Sequence, residues 1–366
     1  MSKVLRKAAP EGGARRDPLP PPRPRTLAEV AAAAGVSVPT VSKVLNQRAD
    51  VAPATRQRVE RTLVEHGYVV RRAGRALRTG KSGQIDFVVQ SLQSDYAAEI
   101  LRGVEEALGG TEIRAVLAPT HDHRQRERQW LQRLADGSTD GAIVVLADRH
   151  SPPVQELRRR AIPFVVVDRL GELGPGELSV SATNWAGGRA ATQHLLELGH
   201  RRIAALLGPS EFPCTRDRLA GYRTALEAAG VPIDPALIHY GDWHAERAYE
   251  VMRHLLALAN PPTAVFAGND EQCLGIYRAL YERGRRIPDT ISVVGFDDMP
   301  YAPQLAPPLT TVRQPLREMG RVATKLLLRL IAGEPVEHVR VELATPLIQR
   351  GSSAPPPAEG RRRRKP

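Results

Sequence analysis

The stretch Thr26–Leu45, TLAEVAAAAGVSVPTVSKVL, limits what this chain can be more than any other part of it. Thr26 and Glu29 stand at capping-box spacing, so a helix can start at Leu27 with two otherwise orphaned amides satisfied. Leu27, Val30, Ala31 and Ala34 recur at helical spacing and give that helix one apolar face. Gly35 follows at the point where a chain leaving a helix often needs positive φ. Ser37 can cap a second helix with Pro39 in its first turn, where a missing amide costs nothing. Val41, Val44 and Leu45 turn that helix inward, and Thr40, Ser42, Lys43 and Asn46 face out. Two short helices, a glycine turn and a polar second helix make the shape of a helix-turn-helix, whose second helix enters the DNA major groove. An ordinary helical hairpin shares that outline, so the rest of the chain must decide between them.

A third helix is expected from Pro53, with Val59, Leu63 and Val64 closing a small core and Tyr68 at its end. The charge is placed unevenly. Residues 1–83 carry 17 Lys+Arg against 6 Asp+Glu, residues 84–350 carry 30 against 33, and residues 351–366 carry 5 against 1. A basic front end on a near-neutral body suits a chain that meets a polyanion with one part and something else with the other. Cys214 and Cys273 make no disulfide framework and lack metal-ligand spacing, which points to a reducing cytoplasm. No apolar run reaches membrane-spanning length, and charge and proline stand where a signal peptide needs a hydrophobic region.

Residues 1–25, ending in PLPPPRPR, read as a disordered basic tail. Residues 26–70 form the three-helix module, and residues 71–83 are a hinge whose five basic residues surround Leu77. This hinge is either a solvated linker or a helix that forms on DNA and drives Leu77 into the minor groove. From Gln84 the pattern changes. IDFVV, IRAVLA, GAIVVLA, IPFVVVD, RIAALLG, TAVFAGND and ISVVGFDD read as buried parallel strands, separated by amphipathic segments such as Glu99–Leu108 and Glu246–Leu258. This alternation predicts an α/β fold of two doubly wound lobes across residues 84–350. Ligands of open parallel sheets sit beyond the carboxyl ends of the strands, where Asp168, Asn269, Asp270, Asp297 and Asp298 converge.

With these residues in place, the chain resembles the lactose/galactose repressor family of bacterial transcriptional regulators from Thr26 to about Arg350. The motif TLAEVAAAAGVSVPTVSKVLN carries the resemblance. So does the order of Tyr68, the basic run, IPFVVVDR, HLLELGHRRIA, RDRLAGYRTAL, GND and ISVVGFDD followed by LAPPLTTVRQP. The resemblance implies a cytoplasmic homodimer that binds a near-palindromic operator. Its body would have a type I periplasmic-binding-protein fold holding a small effector, most simply a sugar, between its lobes. By the same resemblance, Val38, Pro39 and Lys43 reach base edges, while Thr26, Ser37, Thr40, Ser42 and Asn46 contact phosphate. Leu77 would be the hinge wedge, although Val70-Arg71 and Gly74 depart from the family pattern. A glycine in so short a helix costs about 1 kcal/mol relative to alanine. In the body, Asp168, Arg216, Asn269 and Asp297 match effector-cleft positions. Trp243 is either a stacking face or core, and Asp95 or Tyr96 lies on the opposite lobe. Asp270 and Asp298 read as caps or loop carboxylates instead.

No cofactor or metal site is expected. His121 and His123 lack a third ligand at a usual spacing, and neither a nucleophile elbow nor a phosphate loop is present. A catalytic α/β protein is therefore disfavoured. A sensor of sugars or purines that has lost sequence-specific DNA binding is the remaining rival, and the intact Thr26–Asn46 module argues against it. Residues 351–366 are expected to be a disordered basic tail.

Overall fold

The computed structural model describes residues 26–45, 48, 50–66, 68, 81–90, 95–119, 124–337 and 340–357, with backbone only at 124–127. Asn46, Leu77, Gly74, His121, His123, the tail before Thr26 and the run RRRRKP lie outside the described residues. The chain divides into two units, residues 1–78 and 79–366.

The first unit holds α1 (Leu27–Ala34), α2 (Val38–Leu45) and α3 (Pro53–Glu65). The capping box forms as the spacing predicts. Thr26 N–H donates to Glu29 Oε2 at 2.8 Å, and Glu29 N–H to Thr26 Oγ1 at 3.3 Å. Gly35 closes α1 at φ 64°, a backbone angle that glycine adopts without the Cβ penalty. Val30, Ala31, Ala34, Val41, Val44, Val51 and Val59 form the core of this unit, with Leu63 and Tyr68 packed on it. Val64 is not part of that core and is 82% exposed. Five residues beyond Val59, it lies roughly 140° around the helix, whereas Thr62 and Leu63 fall on the inward stripe.

Among the described residues, the second unit contains two six-stranded sheets. The first is built from β1 (Gln84–Val89), β2 (Arg114–Pro119), β3 (Gly141–Ala147), β4 (Phe164–Arg169), β5 (Leu178–Ala182) and β11 (Arg340–Leu343), in the order β11-β5-β4-β3-β1-β2. The second is built from β6 (Ile203–Leu207), β7 (Ile238–Tyr240), β8 (Ala264–Ala267), β9 (Ser292–Asp297), β10 (Thr310–Arg313) and β12 (Leu347–Ile348), in the order β12-β10-β9-β8-β6-β7. All pairings are parallel except that of β10 with β12. Each sheet is therefore doubly wound, as the βαβ alternation predicts. All seven apolar runs are strands. β5, β7, β10, β11 and β12 are additional, being too short or too rich in Ser, Thr and charge to read as buried strands.

The helices of this unit are α4 (Asp95–Leu108), α5 (Arg124–Ala135), α6 (Pro152–Arg159), α7 (Asn184–Glu197), α8 (Pro213–Ala228), α9 (Ala245–Leu256), α10 (Asp270–Glu282) and α11 (Leu316–Ala332). They cover both faces of each sheet, so β1 alternates its side chains between two cores. Ile85, Phe87 and Val89 face α4 and α11, and Val88 faces α5 and α6. On that second face Asp86 is fully buried, accepting from Trp130 Nε1 and Arg133 Nη2 at 2.7 Å each. Burial raises its carboxyl pKa against the pull of Arg133.

The chain passes between lobes three times: after β5, after β10 and after β11. Thr183 N–H donates to Leu343 O at 2.9 Å and Arg313 N–H to Pro346 O at 2.8 Å, which ties these passages to one another. The second lobe continues beyond Arg350. Ser352 is fully buried and bonds Val293 O and Thr310 N–H, and Ala354 O accepts from His200. The tail expected from residue 351 thus begins as part of the lobe. Its small polar residues mimic a linker in sequence while supplying bonds to the starts of β9 and β10. No single described helix is long and apolar enough to cross a membrane.

Candidate DNA-reading surface and ligand cleft

On the first unit, α2 buries Val41 and Val44 and exposes its other side. Ser37 Oγ accepts from Thr40 N–H at 3.3 Å and lies 2.9 Å from the Thr40 hydroxyl, fixing the start of the helix. Thr26, Ser37, Val38, Pro39 and Lys43 are exposed, and Thr40 and Ser42 are half-buried at the margin of the same surface. An exposed Val38 beside Pro39 is an apolar spot that a core would normally absorb. Lys43, the only basic residue of α2, reaches Asp50 with Nζ 2.8 Å from Oδ2.

In the second unit a cleft of about 560 Å³ opens where the strands end, with walls from both lobes. This volume falls within the usual range for small-molecule sites. Asp95 and Tyr96 at the start of α4, together with Asp168 at the carboxyl end of β4, line it from the first lobe. Trp243, Asn269 and Asp297 line it from the second, so six of the seven body residues singled out from sequence meet there. Arg216 does not: it is exposed, and Arg218 occupies the cleft. The inward stripe of α8 is Thr215, Arg218, Leu219 and Tyr222. Helical spacing therefore favours Arg218, and Arg216 lies on the opposite face. Phe212, Gln314, Glu271, Asp242 and Glu246 also line the cleft and carry no sequence signal of their own.

Arg218 organises the second-lobe wall. It is 3% exposed, donates through Nε to Asn184 Oδ1 at 2.8 Å and through Nη1 to Gly268 O, and lies 3.9 Å from Asp297 Oδ1. Its guanidinium covers the Phe296 ring at 3.7 Å and stands 5.5 Å from the Trp243 ring. A buried guanidinium held in this way is rigid, and Nη2 has no hydrogen-bond partner among the described residues. Trp243 stacks with Phe212 at 6.4 Å and 11°, forming an aromatic wall. A Cβ at Gly208 would come within 2.1 Å of the indole, so this wall needs a glycine there. Asn269 is an N-cap. Its Oδ1 accepts from Gln272 N–H at 2.9 Å and its Nδ2 donates to Trp243 O at 3.1 Å, so its amide braces the aromatic wall.

The carboxylates are held under tension. Burial raises the pKa of Asp168 against the hydrogen bond from Tyr96. Burial likewise lifts Asp297 to about 6, opposed by Arg218 and by Gln314, whose Nε2 donates to Oδ1 at 2.6 Å. Gln314 Oε1 is a buried acceptor without a partner among the described residues. Backbone strain gathers here too. Leu146, Asp168, Trp243 and Asp297 line the cleft at φ 56°, 52°, 73° and 115°, and each costs on the order of 1–3 kcal/mol and persists because its surroundings enforce it. Asp270 and Asp298 lie outside the cleft as expected. Asp270 accepts from Met299 N–H and Thr311, and Asp298 pairs with Arg313 and Arg350. Among the described residues no group of three or more His, Cys, Asp or Glu is arranged to hold a metal ion.

Comparison with known proteins accords with this geometry. Residues 26–70 match the family described as bacterial regulatory proteins, lacI family, and residues 192–353 match a periplasmic binding protein-like domain. The chain is 41% identical over 335 residues to the HTH-type transcriptional regulator CelR of Thermobifida fusca, covering 89% of this chain and 98% of that one. Among solved structures it resembles a CelR–cellobiose complex, with a TM-score of 0.69 and 38% identity, covering 90% of this chain and all of that one. It also resembles a lac repressor dimer bound to operator and the anti-inducer ONPF, with a TM-score of 0.79 and 28% identity, over 91% of this chain and all of that one. The chain belongs to the lacI family of bacterial regulatory proteins.

Proposed function

We propose that this regulator is a cytoplasmic repressor that binds a near-palindromic operator as a homodimer and is released by a small neutral carbohydrate. The observation that carries the reading is the cleft. Its walls combine a rigid buried guanidinium, two buried carboxylates, an orphaned amide oxygen and an aromatic wall. Polyhydroxylated rings need this set: hydroxyls both donate and accept, and the apolar face of a pyranose stacks on an aromatic plane. Asp168, Asp297 and Gln314 Oε1 accept, Arg218 Nη2 donates, and Trp243 with Phe212 forms the stacking surface. Asn269 positions Trp243. The six lining carboxylates outnumber the cleft's one guanidinium, which disfavours sugar phosphates and sugar acids.

On the DNA side, Lys43 donates to guanine, and Val38 and Pro39 offer apolar contact to a thymine methyl. Thr26, Ser37, Thr40 and Ser42 set register on phosphate. An effector shifts operator affinity only through its differential affinity for the DNA-competent and released states. Because cellobiose occupies the related CelR complex, it is the first probe. Isothermal calorimetry of the full chain should show saturable binding of cellobiose or another neutral glycoside. The corresponding phosphorylated or oxidised sugar should bind at least about tenfold more weakly, through charge repulsion in the cleft. Equal or stronger binding of the anionic sugar would contradict the assignment.

A further inference from the structure

Asp50 stands in the turn between α2 and α3, and its carboxylate receives the ammonium of Lys43 at 2.8 Å with both side chains half exposed. The turn that carries it is anchored. Arg48 N–H donates to Lys43 O at 3.0 Å, Arg56 Nη2 donates to Arg48 O at 2.5 Å, and the neighbouring Val51 is buried in the core of the unit. The backbone on either side of Asp50 is therefore held, which keeps its carboxylate beside the only basic residue of the exposed helix. The ammonium in turn holds the Asp50 carboxyl below its ordinary range.

A lysine ammonium on its flexible stem is a compact charge with three donors, and left alone it turns to the nearest phosphate. Such contacts supply affinity without sequence information. Asp50 changes both terms. It draws one donor of Lys43 to a set place and leaves the others for a base edge, and its own charge is repelled by the phosphate backbone.

We propose that Asp50 is a specificity-determining positioning residue, which directs Lys43 to the base edge and weakens its contact with phosphate. This inference rests on the reading of residues 26–70 as a DNA-binding module. The test uses full-length protein, a duplex selected by the wild type from a random pool, and a scrambled duplex of the same composition. Asp50→Asn should tighten binding to the scrambled duplex and steepen its log–log salt dependence by about one unit, as one more effective cation engages the backbone. The ratio of selected to scrambled affinity should fall about fivefold, within the range one base contact supplies. Asp50→Glu, which keeps the charge, should retain most of the ratio and also serves if Asp50→Asn folds poorly. In a Lys43→Ala background, Asp50→Asn should leave the ratio unchanged.

An unchanged ratio for Asp50→Asn in the otherwise wild-type protein would overturn the inference, as would an equal fall with and without Lys43. If the wild type preferred no sequence at all, the DNA-reading conclusion and this inference would fall together. A wild-type preference indifferent to Asp50 would sink the inference alone.

Discussion

At the scale of single residues, the cleft sets stability against binding. Asp297 titrates near 6 in the folded protein and near 3.8 when exposed in the unfolded chain. Between those values the folded state holds the extra proton, so this group's contribution to stability falls as pH rises through the window and levels off above about 6. The ionised carboxylate is thus a standing cost at neutral pH. Asp297→Asn should stabilise the ligand-free protein at pH 7.5 by on the order of 1–3 kcal/mol, with the gain shrinking as pH falls from 6 to 4. Denaturant melts of both proteins across that range would reveal it. The same variant should bind its carbohydrate more than about tenfold more weakly, having exchanged an ionic acceptor for a neutral one.

Arg218→Lys tests the guanidinium directly. A lysine cannot reproduce both the Asn184 and Gly268 bonds and the ring stacking, so ligand binding should be lost while DNA binding persists. Arg216→Ala, on the exposed face of α8, should change stability by less than about 0.5 kcal/mol and leave ligand binding intact. Loss of ligand binding in Arg216→Ala, read by calorimetry, would contradict this placement.

At the scale of elements, helices pack by removing side chains. A Cβ at Gly103 of α4 would stand 1.8 Å from Arg317 O, and one at Gly320 of α11 would stand 2.1 Å from Ile100 O. These two helices approach backbone to backbone, and Glu99 and Arg317 pair across them at 2.7 Å. Gly320→Val should destabilise the ligand-free body by about 1–3 kcal/mol or more through overpacking, as a lowered denaturant midpoint at unchanged slope. The sequence shows α4 and the apolar strands because their burial imposes a period. It does not show which glycines meet a neighbouring helix, since that depends on partners distant in the chain. The same distinction separates the legible parts of the site from the rest. The carboxylates at the carboxyl ends of β4 and β9 close apolar runs and can be read from them. Choosing Arg218 over Arg216 requires the phase of α8 relative to its sheet, and that phase was available in the spacing of Thr215, Leu219 and Tyr222. Phe212 and Gln314 belong to loops whose course is set only by the assembled lobes. Ser352 shows the limit from the other side, because a segment with the composition of a linker completes a lobe through side-chain and backbone bonds to Val293, Thr310 and His200.

At the scale of the whole molecule, two units divide the work. The exposed polar face of α2 belongs to one and the cleft to the other, so regulation must be a free-energy coupling between them. Protein lacking residues 1–78 should bind the carbohydrate with the affinity of the intact chain and should bind no DNA selectively. Calorimetry and duplex binding on that fragment would check both statements.

The most direct test of the coupling is fluorescence anisotropy of a labelled duplex, selected by the wild type, titrated with cellobiose and other neutral glycosides. At least one glycoside is predicted to release the wild-type protein at concentrations where calorimetry shows the cleft filling, and the same titration should leave Arg218→Lys bound. A glycoside that saturates the cleft of the wild type yet leaves its affinity for the duplex unchanged would contradict the account.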